Sequence, residues 1–301
     1  MRTLEVLHSL DAGTIAAVDR LLADAERADG HEPLSDQHRL DLAGGGGTGF
    51  AAVVARDDGD PIGYAQVSHG NCASTVELVV APAHRGELAS LGADLVAAAL
   101  DVVRDSGGGP VHWWVFDPTA DHGELARRLG LTLGRELLQM RRRLPTDLPY
   151  DVTTRAFDPG VDDAAWVEVN NRAFAGHPEQ GGWTVDTLRR RQAEPWFDPE
   201  GFLLHERDGR LAGFCWTKVH LPGATPGDPP LGEIYVIGVD PDFQGLGLGR
   251  ELTLAGLDSI AGREVDVGML YVDAANTPAL AMYEQLGFTV HRTDRAYTAT
   301  L

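Results

Sequence analysis

Apolar and polar positions alternate in two hairpin-like segments, one in each half of the chain. These segments are residues 50–68 and 202–219, and their centres carry the turn sequences Asp57-Asp58-Gly59-Asp60 and Asp208-Gly209. Alternation with a period of two residues is typical of a half-buried strand, and Asp-Gly supplies the positive φ values of a tight hairpin turn. The pattern therefore predicts a β-hairpin at the same place in each half.

Each hairpin is followed by the same further series of elements. An apolar run that ends at a proline predicts a buried strand, at 75–80 before Pro82 and at 233–239 before Pro241. Apolar residues at helical spacing then alternate with short apolar runs. The predicted helices are 88–104, 124–129, 247–261 and 278–286, and the predicted strands are 112–116, 136–142, 269–272 and 290–298.

This repeated order has a spacing too long for a solenoid and suited to a duplicated domain. Strands outnumber helices in each copy, so we expect an α+β architecture rather than one doubly wound sheet. Each copy should form a mixed, mostly antiparallel sheet flanked by helices. The proline-bearing stretch 144–149 is the candidate linker, and it divides the chain into domains 1–147 and 148–301.

Charge argues against two classes of partner. Lys and Arg total 25 against 45 Asp and Glu, which gives a formal net charge of −20 and disfavours phosphate backbones and anionic membrane surfaces. The sequence shows no signal-like start and no apolar run of membrane-spanning length. The only cysteines, Cys72 and Cys215, predict neither a disulfide framework nor a zinc site. We therefore expect a cytoplasmic protein without nucleic-acid, membrane or metal partners.

The segment 239–250 is rich in glycine and runs from a predicted strand directly into a predicted helix. Glycines let backbone N–H groups approach a ligand, and a helix amino terminus favours an anion, so the loop is suited to phosphate. A P-loop would need Lys-Ser or Lys-Thr after the glycines, and a Rossmann loop would lie early in its domain. A purely structural turn at a strand-helix junction remains the alternative.

The pattern Gln244-x-x-Gly247-x-Gly249 closely resembles the coenzyme A pyrophosphate loop of the GNAT acetyltransferase superfamily. Asn276, Ala279, Tyr283 and Gly287-Phe288 resemble the remaining motifs of that superfamily, over residues 150–301. The resemblance implies acetyl-CoA as co-substrate. It places the cofactor on Ile237, Gly238, Val239, Gln244, Gly245, Leu246, Gly247, Leu248, Gly249, Arg250, Asn276 and Ala281, and by position in the first half on Leu78, Val79 and Val80.

Acetyl transfer to an amine needs a neutral nucleophile, a path for its proton and an acid for the leaving thiolate. Glu233 begins the strand that leads to the glycine loop, where a partly buried carboxylate could take the proton through water. Tyr283 lies on the helix after Asn276, where its phenol could protonate the coenzyme A sulfur. The plainer interpretations are an edge charge for Glu233 and a core aromatic for Tyr283.

The first half lacks counterparts of these groups. An alignment on Pro82 and Pro241, and on the Leu-Gly pairs that follow the last helices, sets the two halves side by side. It places Arg85, Leu88, Ser90, Ser74 and Ala126 opposite Gln244, Gly247, Gly249, Glu233 and Tyr283. We therefore expect domain 1–147 to be a degenerate GNAT-like copy without acetyltransferase chemistry.

Three stretches of the second half, 177–183, 232–241 and 270–272, resemble the mycothiol synthase branch of the superfamily. That branch acetylates the cysteinyl amine of a Cys-glucosamine-inositol pseudodisaccharide, the last step of mycothiol biosynthesis. The resemblance implies a small-molecule acceptor, and we expect a monomer. By position it implies acceptor contacts from Asp36, Glu179, Lys218, Glu233 and Tyr271.

Two rival functions remain open at this point. The first is a GNAT enzyme that acts on another amine, such as a protein amino terminus or an aminoglycoside. The second is a non-catalytic sensor that binds coenzyme A. Two acceptor residues also have plainer interpretations, since Glu179 and Lys218 could form a surface pair and Asp36 could cap a helix.

Overall fold

The computed structural model describes residues 2–70, 73–175, 180–220 and 230–301. Its strands are β1 (Thr3–Leu7), β2 (Phe50–Asp57), β3 (Asp60–His69), β4 (Ser74–Val80), β5 (Pro110–Val115), β6 (Thr132–Arg143), β7 (Arg155–Ala156), β8 (Phe202–Arg207), β9 (Arg210–His220), β10 (Leu231–Val239), β11 (Val267–Asp273) and β12 (Thr289–Thr300). Its helices are α1 (Ala12–Asp29), α2 (Asp36–Ala43), α3 (Ala93–Asp105), α4 (Ala120–Arg128), α5 (Asp163–Ala173), α6 (Val185–Gln192), α7 (Leu248–Ala261) and α8 (Thr277–Gln285). Within these ranges, every helix is too short or too polar to cross a bilayer.

Both predicted hairpins are confirmed, with the turn chemistry that the sequence indicates. Asp58 and Gly59 have φ values of +49° and +96°, and Asp208 and Gly209 have +55° and +72°. Two consecutive positive φ values are what a two-residue hairpin turn of type I′ requires, and the twist of this turn matches the right-handed twist of the strands. Local sequence therefore determines β2–β3 and β8–β9 without help from distant residues.

The chain forms two compact units, and the first holds residues 2–137 together with 293–301. Its strand order is β1-β2-β3-β4-β5-β12, followed by the first part of β6, and β4 with β5 is a parallel pair. One apolar cluster packs α3 and α4 on one face of this sheet. A second apolar cluster packs α1 against the other face. The arrangement is the mixed sheet with flanking helices that the pattern predicts.

The second unit holds residues 138–220 and 230–292. Its strands follow the order β6-β11-β10-β9-β8-β7, and β10 with β11 is its parallel pair. Helices α7 and α8 pack on one face. Helix α5 packs on the other face with a cluster of aromatic rings, in which Trp216 stacks on Phe202 with centroids 4.4 Å apart. Each half of the chain thus has its own two-sided core.

The last strand of the chain completes the sheet of the first unit. Strand β12 pairs antiparallel with β5, from Arg295 opposite Val115 to Thr300 opposite Pro110. The Tyr297 ring lies 5.6 Å from the Trp113 ring, inside the apolar cluster of α3. Conversely, β6 belongs to the second unit from Leu138 onward. The two sequence halves therefore exchange their final strands, and the boundary between 147 and 148 stays a prediction about the repeat.

The structure also corrects one step of the alignment between the halves. Strand β10 carries a β-bulge between Ile234 and Val236, whereas β4 pairs with β3 without interruption. The bulge adds one residue to β10. Counting back from the proline therefore placed Ser74 opposite Glu233, which was wrong by one position. The parallel ladders instead match Thr75 with Glu233. Thr75 pairs with His112 and Glu233 pairs with Met269, and these two partners are the first residues of the equivalent predicted strands 112–116 and 269–272.

Candidate active site

Strands β10 and β11 diverge near the middle of the second unit's sheet. Their parallel ladder ends at the pair Ile234–Leu270, although β10 continues to Val239 and β11 to Asp273. The other edge of β10 remains paired with β9 as far as Val239. Only the edge that faces β11 is therefore open. The backbone N–H and C=O groups of 235–239 on that edge can bind a ligand that carries amide groups of its own.

The predicted cofactor residues Ile237, Gly238 and Val239 lie on this open edge, where the pantetheine arm of coenzyme A would bind. Gly238 is required by close packing, because a Cβ atom there would lie 2.8 Å from ring carbons of Phe214. A side chain at 238 would displace that ring and, with it, the strand edge. The structure thus brings these three residues to a place where an extended ligand could add to the sheet.

The glycine loop leads from β10 into α7. A short 3₁₀ turn, Pro241–Phe243, precedes Gln244, and Gly245 and Gly247 have φ values of +78° and +79°. Gly247 immediately precedes the first residue of α7, Leu248. The first amides of a helix have no carbonyl one turn earlier to bond, so they can donate to an anion. This geometry fits the pyrophosphate of a coenzyme A molecule.

The remaining predicted cofactor residues have mixed roles. Leu246 is exposed at the tip of the loop, whereas Leu248 is buried and fixes the start of α7. Arg250 forms an ion pair with Glu251, with Nη1 and Oε1 2.7 Å apart. Asn276 caps α8 by accepting a hydrogen bond from the Ala279 N–H at 3.3 Å. Ala281 is exposed on α8.

Tyr283 projects from α8 into the apolar core of the second unit. Its ring packs edge to face on Phe288, with centroids 5.8 Å apart, and the side chain is 6% exposed. Burial, with a smaller contribution from Cys215, raises the pKa of the Tyr283 phenol above its usual value. The phenol therefore keeps its proton through the neutral range and can act as an acid.

Glu233 lies on the opposite face of the same sheet. His220 Nε2 and Glu233 Oε2 are 2.6 Å apart, and Lys218 is the cross-strand partner of Glu233 in the antiparallel ladder. Lys218 Nζ stands 4.8 Å from the Trp196 ring centroid and 5.6 Å from that of Tyr235. A carboxylate, an imidazole and an ammonium thus share one face of β9 and β10, beside the point where β10 leaves β11.

Tyr271 belongs to the same face, since it follows Met269 by two residues on β11 and Met269 pairs with Glu233. Its phenol oxygen accepts hydrogen bonds from Gln139 Nε2 at 2.7 Å and from Arg292 Nη2 at 3.3 Å. Arg141 Nε donates in turn to Gln139 Oε1 at 2.8 Å. The pKa of the Arg141 guanidinium is lowered, mainly by burial; Tyr271 acts in the opposite direction, and Arg292 lowers the pKa further. A phenol that accepts twice acts toward a further partner as a donor.

The structure therefore groups three of the five predicted acceptor residues, namely Lys218, Glu233 and Tyr271. Asp36 belongs to the first unit, where it is the first residue of α2, after the cap residue Ser35. The buried carboxylate of Glu77 fixes this helix start, because it accepts from the Ser35 N–H at 2.8 Å and lies 3.1 Å from His38 Nδ1. Glu179 lies outside the described residues.

Four polar residues of this face were not predicted from the sequence: His220, Gln139, Arg141 and Arg292. His220 carried a signal, since it follows Lys218 by two residues on a strand and alternate residues share a face. The other three carried no local signal. They lie on β6 and β12, which are far in sequence from Tyr271, and only the sheet order brings them to it.

The corresponding region of the first unit also has two diverging parallel strands, but it lacks the glycine loop. The ladder of β4 and β5 ends at Glu77–Trp114, so Leu78, Val79 and Val80 lie on a diverging segment as predicted for a pantetheine strand. The following residues, 82–92, form a 3₁₀ turn and a π turn. None of them has a positive φ, and Arg85 pairs with Asp29 at 2.6 Å. The anion-binding geometry of Gly245 and Gly247 is not repeated there.

Replacing Gly247 by valine is expected to weaken acetyl-CoA binding by roughly 10-fold. A β-branched residue in the left-handed region costs about 1–2 kcal/mol, and relief of that strain would turn the loop amides away from the ligand, where 1.4 kcal/mol corresponds to about tenfold. Calorimetric titration with coenzyme A measures the change. Gly209→Val places the same strain in a hairpin turn of the same unit and should leave the dissociation constant unchanged. Equal weakening by both variants would contradict a local role for Gly247.

Comparison with known proteins agrees with this geometry. The "Acetyltransferase (GNAT) family" matches the sequence twice, over residues 15–131 and 164–288. The mycothiol acetyltransferase of Thermobispora bispora is 47% identical over 290 residues, 95% of this chain and 96% of that protein. The mycothiol acetyltransferase of Streptomyces griseus is 45% identical over 98% of this chain and 95% of its own length. A solved tandem GNAT protein from the clavulanic acid biosynthesis pathway, 20% identical, covers 100% of this chain and 98% of its own, with a TM-score of 0.69. That structure confirms the tandem fold.

Proposed function

Because the chain belongs to the GNAT acetyltransferases and to their mycothiol acetyltransferase branch, we propose that it acetylates the cysteinyl amine of a Cys-glucosamine-inositol pseudodisaccharide. The acetyl donor is acetyl-CoA, and the products are mycothiol and coenzyme A. The observation that carries this proposal is the open edge of β10, continuous with a glycine-lined helix start. One extended ligand with amide groups and a pyrophosphate matches both features.

The second unit carries the chemistry. The open edge and the glycine loop hold acetyl-CoA, so that its thioester lies where β10 and β11 part. Glu233 is on one face of the sheet at this point and Tyr283 is on the other. Glu233 takes the proton of the amine, directly or through water, and the neutral nitrogen attacks the thioester carbon. Tyr283, which its environment keeps protonated, donates its proton to the departing sulfur.

The acceptor binds on the polar face. A sugar-inositol acceptor offers many hydroxyls and one amine, and a site of carboxylate, ammonium and phenol groups satisfies such a ligand by hydrogen bonds. Lys218 and Tyr271 donate to hydroxyl or ether oxygens, while Glu233 lies at the amine. Glu179 and Asp36 are the other two residues of the predicted acceptor set. We expect no acetyl transfer in the first unit, because Thr75 stands where the second unit has the proposed base Glu233.

We expect the enzyme to work as a cytoplasmic monomer whose partners are these two small molecules. Two observations favour acetyl transfer over a coenzyme A sensor. A sensor needs neither a protonated buried phenol nor a carboxylate beside the strand divergence. The polar face also favours a hydroxyl-rich acceptor over a protein amino terminus, although an aminoglycoside shares that chemistry.

The decisive experiment is steady-state acetyl transfer from acetyl-CoA, followed as free coenzyme A. Release is expected with Cys-glucosamine-inositol and not with glucosamine-inositol, because only the former carries the cysteinyl amine. A panel of aminoglycosides and peptides with free amino termini tests the rival acceptors. A higher kcat/KM for any of these than for Cys-glucosamine-inositol would refute the acceptor assignment. Binding of coenzyme A without release from any amine would favour the sensor.

A further inference from the structure

We propose that His220 is a positioning residue of the reaction, which orients Glu233 and carries the proton that Glu233 receives to solvent. The proposal rests on the proposed acetyl transfer and on Glu233 as its base. It arises from the contact between the two side chains. His220 lies at the end of β9, and its Nε2 is 2.6 Å from Glu233 Oε2.

The reaction requires such an exit because of its proton balance. An α-amino group has an ordinary pKa of about 8, so the acceptor enters chiefly as an ammonium ion. Its nitrogen loses two protons on the way to the amide, one before it attacks the thioester carbon and one after the C–N bond has formed. One replaces the proton that Tyr283 gives to sulfur as the C–S bond breaks, and the other leaves the protein. Each turnover therefore releases one proton to water, and Glu233 receives it first.

Glu233 is poorly placed to release that proton by itself. Its side chain is 9% exposed, whereas that of His220 is 23% exposed. The O–H bond formed at Glu233 breaks as an N–H bond forms at His220, and the ring then loses a proton to water. The imidazole suits this task, because it can accept a proton at one ring nitrogen and release a proton from the other. The contact also fixes the carboxylate in one orientation.

The neighbouring charged groups do not offer the same route. Lys218 is the cross-strand partner of Glu233, but an ammonium has no lone pair to accept a proton. A guanidinium group likewise stays protonated. Other titratable and charged residues on this face and on the elements beside it include Lys218 on β9, Tyr235 on β10, Tyr271 on β11, Arg141 on β6, Arg292 on β12, Arg191 on α6, and Asp163, Glu168 and Arg172 on α5. None of these side chains is an imidazole.

The test compares His220→Ala and His220→Gln with the unchanged enzyme in dilute buffer. Both variants are expected to lower kcat by about 10-fold while the KM for acetyl-CoA stays constant. Added imidazole should restore the kcat of His220→Ala in a concentration-dependent manner, and sodium chloride at equal ionic strength should not. The matched control is His205→Gln. His205 lies on β8 of the same unit and contacts the Thr153 carbonyl oxygen at 2.8 Å, and its replacement should change nothing.

A merely structural role for His220 predicts a loss that imidazole does not restore, and that result would overturn the proposal. Unchanged kcat in both variants would overturn it as well. Coenzyme A binding measures folding, and His220→Gln serves where His220→Ala does not fold. The variant Glu233→Gln tests the assignment of Glu233 as the base separately from the proposed role of His220. If Glu233→Gln retains full activity, the base assignment fails. If Glu233→Gln is impaired and the His220 variants are not, only the relay fails.

Discussion

Replacing Tyr283 by phenylalanine is expected to lower kcat by about 10²–10⁴-fold, the usual contribution of a general acid, with little change in the KM for acetyl-CoA. The substitution removes one hydroxyl from a side chain that is 6% exposed and leaves the ring against Phe288. Loss of the proton donor forces the thiolate to leave unprotonated, which affects the transition state alone. Coenzyme A release at saturating substrates measures the effect.

A buried tyrosine of the other unit supplies a control for this prediction. Tyr297→Phe removes a hydroxyl from a phenol of similar burial and should leave kcat within twofold. A Tyr283→Phe enzyme with an equally small change would remove Tyr283 from the mechanism. The raised pKa of Tyr283 adds a pH dependence. Above pH 10, where the unfolded phenol ionises and the folded one does not, stability should fall as the pH rises.

Removal of residues 293–301 is expected to abolish the folded first unit. These residues form the part of β12 that pairs with β5 over six positions, and they bring Tyr297 into the core of the first unit. Loss of a buried aromatic alone costs about 3–5 kcal/mol, against a total stability of about 5–15 kcal/mol for a domain. Circular dichroism and thermal melting of the shortened chain measure the result. For the same reason, fragment 1–147 should not fold by itself.

Strand β1 offers a matched deletion. It is also a strand of about this length, it pairs with β2 over five positions, and its side chains are mostly exposed at the sheet edge. Removal of residues 1–7 should therefore lower the melting temperature far less than removal of 293–301. Similar losses from the two deletions would mean that the position of β12 inside the sheet gives it no special importance.

Sequence predicted the elements of this protein better than their partners. The hairpins, the proline-ended strands and the glycine loop follow from residues within a few positions of one another, and all of them are present. Pairing of β12 with β5 joins residues some 180 positions apart, and nothing local records it. The β-bulge at Tyr235 also has no signal in the sequence, because the residues around it are ordinary strand formers.

The same distinction holds for the candidate site. Gly245 and Gly247 can be recognised from the sequence, because glycine is the residue that the left-handed region favours. Lys218, Glu233 and Tyr271 were placed by family resemblance, and the sheet then groups them on one face. Gln139 and Arg292 could not be predicted, because strand order alone brings them to the Tyr271 phenol. The polar face is therefore produced by the order of the strands, and Gln139 and Arg292 lie outside the motifs recognised in the sequence.

The lysine content of the chain affects how readily acetyl-CoA can acetylate the protein itself. Lys218 is the single lysine of the sequence, and all other cationic side chains that stay charged are arginines, which thioesters do not readily acylate. The one side-chain amine that a stray acetyl group could capture is 5% exposed and stands against Trp196 and Tyr235. The surface thus carries no lysine to be modified in the presence of an activated acetyl donor. A lysine label left by an amine-directed reagent must therefore be on Lys218. The mass increase from that label reports whether the amine of the acceptor face is accessible.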